Sequence, residues 1–138
     1  MKRFFVVMSV VLLSGCAGMR GQPVAAWCTP GAEHGQPVEF IVVIDEGTKP
    51  TVTPDNCRVR GDTVLTWVAS GDLAASFQGV EFMDRRTPDA RGRMQIPVVS
   101  TGSGPQASLH TRAVAGSFPY WVLAGGTRHD PVVIVDPR

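Results

Sequence analysis

Residues 116–136 read GSFPYWVLAGGTRHDPVVIVD. An aromatic-rich run, FPYWVLAG, leads into paired glycines, and after Thr127, Arg128 and His129 the chain closes on the branched aliphatics of PVVIVD. Short aromatic and β-branched runs bounded by glycine and proline read as strands, so the stretch predicts two strands joined by a glycine loop. In this reading His129-Asp130-Pro131 starts a turn, and Pro131 fixes where the last strand begins.

The same grammar extends upstream. VEFIVVI at 38–44 is β-branched and aromatic, with Gly-Gln-Pro before it and Asp-Glu-Gly after. TVTP and CRVRGDTVLTWVAS follow, the second with Leu65, Trp67 and Ala69 on one face and a Gly61-Asp62 turn ahead of them. FQGVEFM, RMQIPVV and ASLHTRAV are further short candidates, punctuated by Thr-Pro-Asp and Thr-Gly-Ser-Gly-Pro. No window carries a helical period, and GDLAASFQG supports a single helical turn. Seven or eight short strands at near-regular spacing predict one antiparallel β-sandwich, with no internal repeat.

The amino end follows a different pattern. MKRFFVVMSVVLLSGCAG has cations at Lys2 and Arg3, an apolar run from Phe4 to Leu13, and then Ser14-Gly15-Cys16. That run is too short to span roughly 30 Å of hydrocarbon as a helix and has the size of a signal-peptide core. LSGC resembles the lipobox of bacterial lipoproteins, which implies cleavage before Cys16 and acylation of that residue, palmitate being one such chain. Ala17 in place of Asp after the cysteine implies, by the same resemblance, the outer membrane facing the periplasm. Several acyl chains hold stably, because each buried methylene contributes about 0.8 kcal/mol.

Removing residues 1–15 leaves 123 of 138, enough for one domain with a core. It also takes the basic count from 13 to 11 against 12 acids, so no basic field is left for nucleic acid. DRRTPDARGR at 84–93 is locally basic, but Asp84 and Asp89 interrupt it, which reads as a solvated loop and not a polyanion site. With Cys16 lipidated, Cys28 and Cys57 remain in an oxidising compartment, and an even pair there implies one disulfide. It pins the segment WCTPG to the domain.

TVTPDNCRVRGDTVLTWVAS resembles the strand-turn-strand of cupredoxin-like domains, and AGSFPYWVLAGG with DPVVIV is similar to their last two strands. The resemblance covers about residues 36–136 and implies an all-β, Greek-key antiparallel sandwich. Copper members of that family hold the metal with two His, one Cys and usually a Met, ligands whose softness suits copper. Here no histidine lies between His34 and His110, Val122 stands where the thiolate is expected, Gly125-Gly126 occupy the region of the second His, and no Met follows Met94. The resemblance therefore implies a scaffold without its copper site and without a cofactor.

Other chemistry is thinly supplied. Met83 and Met94 have the ten-residue spacing of one class of periplasmic copper chaperone, but the His-x-Met that completes that motif is missing, and strand methionines commonly fill cores. His34, His110 and His129 are the candidate ligands for a nonstandard metal site, although no HxH or HxxxH pairing links them. Ser103 and Ser117 lack the GxSxG elbow, and Asp45-Glu46 falls in a turn. Trp27, Trp67 and Trp121 could line a groove, but a sandwich this small buries at least two tryptophans. The expectation is a signal peptide at 1–15, a lipidated Cys16 and tether through 35, and a cupredoxin-like sandwich over 36–138. It would be a non-enzymatic module held to the membrane by lipid and presented to another envelope protein or polymer; the alternative is a periplasmic copper-handling protein.

Overall fold

A computed structural model describes residues 25–124, 127–129 and 131–136, of which 127–129 are described by backbone alone. The lipobox and Cys16 lie outside the described residues. Eleven strands form two facing sheets: β1 (Val38–Val43), β2 (Thr51–Thr53), β3 (Cys57–Arg60), β4 (Val64–Ser70), β5 (Phe77–Phe82), β6 (Gln95–Pro97), β7 (Val99–Thr101), β8 (Gly104–His110), β9 (Gly116–Ala124), β10 (Thr127–His129) and β11 (Val132–Asp136). The first sheet runs β2-β1-β4-β8-β7 and the second β3-β11-β9-β5-β6, with β10 also on β9. Helix among the described residues is confined to single 3-10 turns at Ala32–His34 and Ala74–Ser76.

The all-β sandwich expected from the strand spacing is present, but its sheets are mixed and not purely antiparallel. β1 pairs in parallel with β4, and β3 in parallel with β11. The reason lies in the route of the chain. β2 folds back on β1, the chain crosses to the second sheet for β3, and the Gly61-Asp62 turn then returns it to the first sheet on the other side of β1. That turn is a corner between sheets. Asp62 takes a positive φ of 62°, Gly61 N–H donates to the Asp136 carbonyl at 2.7 Å, and Thr63 N–H donates to the Thr111 hydroxyl at 2.9 Å.

Alternation places the core. Phe40 and Trp67 face inward from the first sheet, Phe82 and Tyr120 from the second. Trp67 stacks on Phe40 at 5.1 Å between centroids and meets Tyr120 edge-on at 5.3 Å, so one indole touches both sheets. Strand β5 departs from the period of two: Phe77, Val80 and Phe82 are all buried. A bulge between Phe77 and Gly79 inserts the extra residue that lets both ends of the strand face inward. Gly79 has φ +120°, and a Cβ there would lie 2.1 Å from the Ile96 carbonyl oxygen, so the bulge requires glycine.

The disulfide between Cys28 and Cys57 forms as expected. Around it Trp27 bridges to Arg58, with Cys28 N–H donating to the Arg58 carbonyl at 2.9 Å and Arg58 N–H to the Ala26 carbonyl at 2.8 Å. The Arg58 guanidinium covers the Trp27 ring at 4.0 Å. The folded body therefore takes in residues ahead of 36, and Ala32 is fully buried in the core.

Tyr120 and Trp67 are both fully buried, and among the described residues neither the phenol oxygen nor the indole nitrogen finds a hydrogen-bond partner. Burial pushes the Tyr120 hydroxyl well above its ordinary pKa. Removing an unpartnered buried hydroxyl relieves its desolvation cost. Tyr120→Phe is expected to leave stability to urea unchanged or raise it by about 1 kcal/mol. Gly79→Ala is expected to lose about 3 kcal/mol or more, since strain at a positive φ adds to a backbone clash. Replacing both Cys28 and Cys57 by Ser should cost about 3–4 kcal/mol in the same measurement, on the chain-entropy account of a loop of this length.

Candidate functional site

The positions where a cupredoxin-like domain would hold copper are occupied by core and turn residues. Val122 is fully buried in β9, paired with Val80 on one side and with the backbone of His129 on the other. The segment between β4 and β5 is instead tied to the β1–β2 loop: Asp72 N–H donates to the Asp45 carboxylate at 3.0 Å, and Leu73 N–H to the Ile44 carbonyl at 2.9 Å. Asp45 thus joins two loops, which accounts for it without catalysis.

The three histidines are not brought together. His34 is exposed beside Glu33, with Nε2 3.2 Å from Oε1. His110 Nε2 lies 2.7 Å from Asp62 Oδ1, at the end of the sandwich where β4 begins. The backbone of His129 lies toward the other end, two residue pairs from the pair of Thr127 with Ala124, which also pairs with Phe77 at the start of β5. The seven residues of β4 separate those ends by roughly 20 Å. Among the described residues no three of His, Cys, Asp and Glu cluster in a way that could hold a metal ion.

His129 also departs from the turn expected of it. It lies in strand β10, and the pairing register of β10 with β9 continues unbroken into that of β11 with β9. Ser103 is in the exposed β7–β8 turn and Ser117 in β9, and neither has a histidine or carboxylate partner among the described residues. The three tryptophans are dispersed: Trp67 in the core, Trp27 beside β3, Trp121 half-buried on β9.

The segment between β5 and β6 is the most structured of the polar regions. It opens with a tight turn in which Arg86 N–H donates to the Met83 carbonyl at 3.2 Å, while Asp84 and Arg85 both hold positive φ, 59° and 54°. Such turns favour Asn-Gly, and each L residue placed there costs on the order of 1 kcal/mol. Thr87, Pro88 and Asp89 then turn inward and are buried, so the segment is not the freely solvated loop its charges predict. They dock on the end of β8: Ala90 N–H donates to the His110 carbonyl at 2.7 Å, Arg112 N–H to the Pro88 carbonyl at 2.9 Å, and an Arg112 guanidinium nitrogen to the Thr87 carbonyl at 2.8 Å.

Asp89 is the anchor. Its carboxylate accepts from Arg93 Nε at 2.8 Å, from an Arg93 terminal nitrogen at 3.2 Å, and from the Arg93 backbone N–H at 3.0 Å. Burial alone would raise its pKa, but the hydrogen bonds and charge of Arg93, with help from the Arg91 backbone, outweigh burial and hold it below the ordinary carboxylate range. Sequence reading missed this role because a lone Asp-x-x-x-Arg spacing carries no signal of burial. Shallow grooves flank the segment. One is lined by Arg85, Arg86, Arg112, Met94, Val114 and Phe118, another by Glu81, Met83, Asp84, Arg85, Met94 and Trp121, and a third by Asp89, Ala90, Arg91, Arg93 and His110. Met83 and Met94 thus meet at one groove, a proximity their spacing alone could not establish.

Because the folded-state pKa of Asp89 is depressed, its contribution is complete above the unfolded value near 4 and is lost as pH falls through the folded value. Asp89→Asn is therefore expected to lower stability at pH 7 by on the order of 2 kcal/mol and to flatten the acid limb of the stability profile below about pH 4, read by urea titration at stepped pH. In sequence, the chain matches no protein-family model and no curated protein.

Proposed function

We propose that this chain is a non-enzymatic lipoprotein of the bacterial envelope, anchored through Cys16 to the outer membrane on its periplasmic side. Its sandwich is a Greek-key, cupredoxin-like domain without the type 1 copper ligands, acting as a binding or structural module toward another envelope protein or polymer. The observation that carries the reading is the sequence at the amino end, a short apolar core followed by Leu13-Ser14-Gly15-Cys16. Three features lend it support: an intramolecular disulfide suited to an oxidising compartment, a terminal strand paired with β3, and an aliphatic side chain at the expected thiolate position.

A second reading, copper handling at a nonstandard site, draws on the shared groove of Met83 and Met94, since thioethers select the softer Cu(I). The histidines add nothing to it, being at opposite ends of the fold.

Two measurements test these readings. Expressed in a bacterial host, the chain is expected to incorporate labelled palmitate and fractionate with membranes, and Cys16→Ser to abolish both; unlabelled wild-type chain in the soluble fraction would refute the anchor. Purified chain is expected to take up no stoichiometric Cu(II) and to show no thiolate charge-transfer band. Stoichiometric Cu(I) retention that disappears in Met94→Ala would instead establish the second reading.

A further inference from the structure

We propose that the groove between the β5–β6 segment and the start of β9 is a binding site for a phosphate-type oxyanion carried on a short apolar stem. The inference deepens the binding-module reading and rests on it. The groove has a volume of about 410 Å³ and is rimmed by the guanidinium groups of Arg85, Arg86 and Arg112. No carboxylate lines it. Asp89 is consumed by Arg93, and Asp84 lines the neighbouring groove. Among the described residues Arg85, Arg86 and Arg112 form no ion pair, so like charges converge without neutralisation. Guanidinium does not shed its proton, so the exposed cluster keeps its charge and attracts an anion from solution.

The arginines are also held in place. One guanidinium nitrogen of Arg112 donates to the Thr87 carbonyl at 2.8 Å, and Arg86 lies over the Phe118 ring at 5.3 Å. A side chain fixed at one edge or by its face presents its remaining N–H groups with less entropy to lose. Arg85 occupies a left-handed turn position that glycine or asparagine would fill with less strain, and it lines both this groove and the neighbouring one. Three cations exceed what one carboxylate can neutralise, whereas a phosphate monoester carries about −1.5 to −2 charge and several acceptor oxygens for forked donors. The apolar part of the ligand has its own surface in the half-buried Met94 and Val114, packed against the core beside the buried Phe118.

The test uses the full chain in neutral detergent, titrated calorimetrically with butyl phosphate, with dihexanoyl phosphatidic acid, and with inorganic phosphate. Controls are 1-butanol and dihexanoyl phosphatidylcholine. At least one of the two stem-bearing phosphates is expected to bind about tenfold more tightly than inorganic phosphate, with affinity falling as salt rises. Preference for butyl phosphate identifies a soluble phosphomonoester as the source, and preference for the phosphatidic acid identifies a lipid headgroup. Arg85→Gln with Arg86→Gln is expected to weaken binding about tenfold or more. Gly92→Asp, which adds a carboxylate at the rim where its Cβ meets no atom within 4 Å, with modest backbone strain at the left-handed φ of +72°, is expected to do the same without removing a side chain. Phosphates that bind no better than their neutral analogues, or an affinity unmoved in whichever variant keeps the wild-type circular dichroism, overturn the proposal. A chain that ignores every anion and still cross-links to an envelope partner overturns this inference and leaves the binding-module reading standing.

Discussion

The Trp67 indole is the contact on which the two sheets depend. It stacks flat on Phe40 in its own sheet and presents its face and edge to Tyr120 and Phe82 across the gap, at 5.3 and 6.4 Å. An aromatic of that size sets both the sheet separation and the register of β4 against β1, because a shift of one residue would turn Trp67 outward with Leu65 and Ala69. β4 is therefore the strand about which the first sheet is ordered, with β1 parallel on one side and β8 antiparallel on the other. The arrangement carries a cost that the core absorbs: a phenol and an indole N–H are buried without partners. Their aromatic area more than offsets that cost, since a fully buried ring contributes several kcal/mol.

Once the core is set, the chain has to pass between sheets, and it does so at points where side chains act as fasteners. Gly61 and Asp62 make one corner, with Thr63 and Thr111 exchanging hydrogen bonds beneath it. Asn56, at φ 48°, places its side-chain oxygen to accept from Val132 N–H at 3.0 Å and so fixes where β11 begins. Within the second sheet, Asp89 fixes the β5–β6 connection by holding Arg93. These residues are polar and local in sequence, yet each joins strands that lie far apart along the chain.

That contrast explains what could be read from the sequence. Leu65, Trp67 and Ala69 were legible as a buried face because alternation is a local signal, and the Cys28–Cys57 pairing because only two cysteines remained to be joined. The parallel pairings were not legible, since they depend on which sheet β3 enters, a choice made by long-range packing. Strand β5 hides its pattern because the bulge at Gly79 breaks the alternation that identifies a strand face. His129 was read as the start of a turn because Asp130-Pro131 follows it, while its backbone pairs with Val122 in β9. The basic segment looked solvated because composition does not record that Thr87 and Asp89 face inward. The groove at Arg85, Arg86 and Arg112 was invisible for a related reason: Arg112 comes from beyond β8 and joins the other two only in three dimensions.

The bridge from Cys28 to Cys57 has a role beyond tightening the chain. β3 is the outer strand of its sheet, and among the described residues its outer edge is met by residues 26–28, which lie alongside it in parallel and are held there by the disulfide. An uncovered outer strand offers a template on which another chain can add. The other outer strands, β2, β6 and β7, are three residues each and too short to offer much purchase. Oxidation of this cysteine pair therefore closes the longest open flank of the sandwich and removes a template on which copies of the chain could add strand by strand.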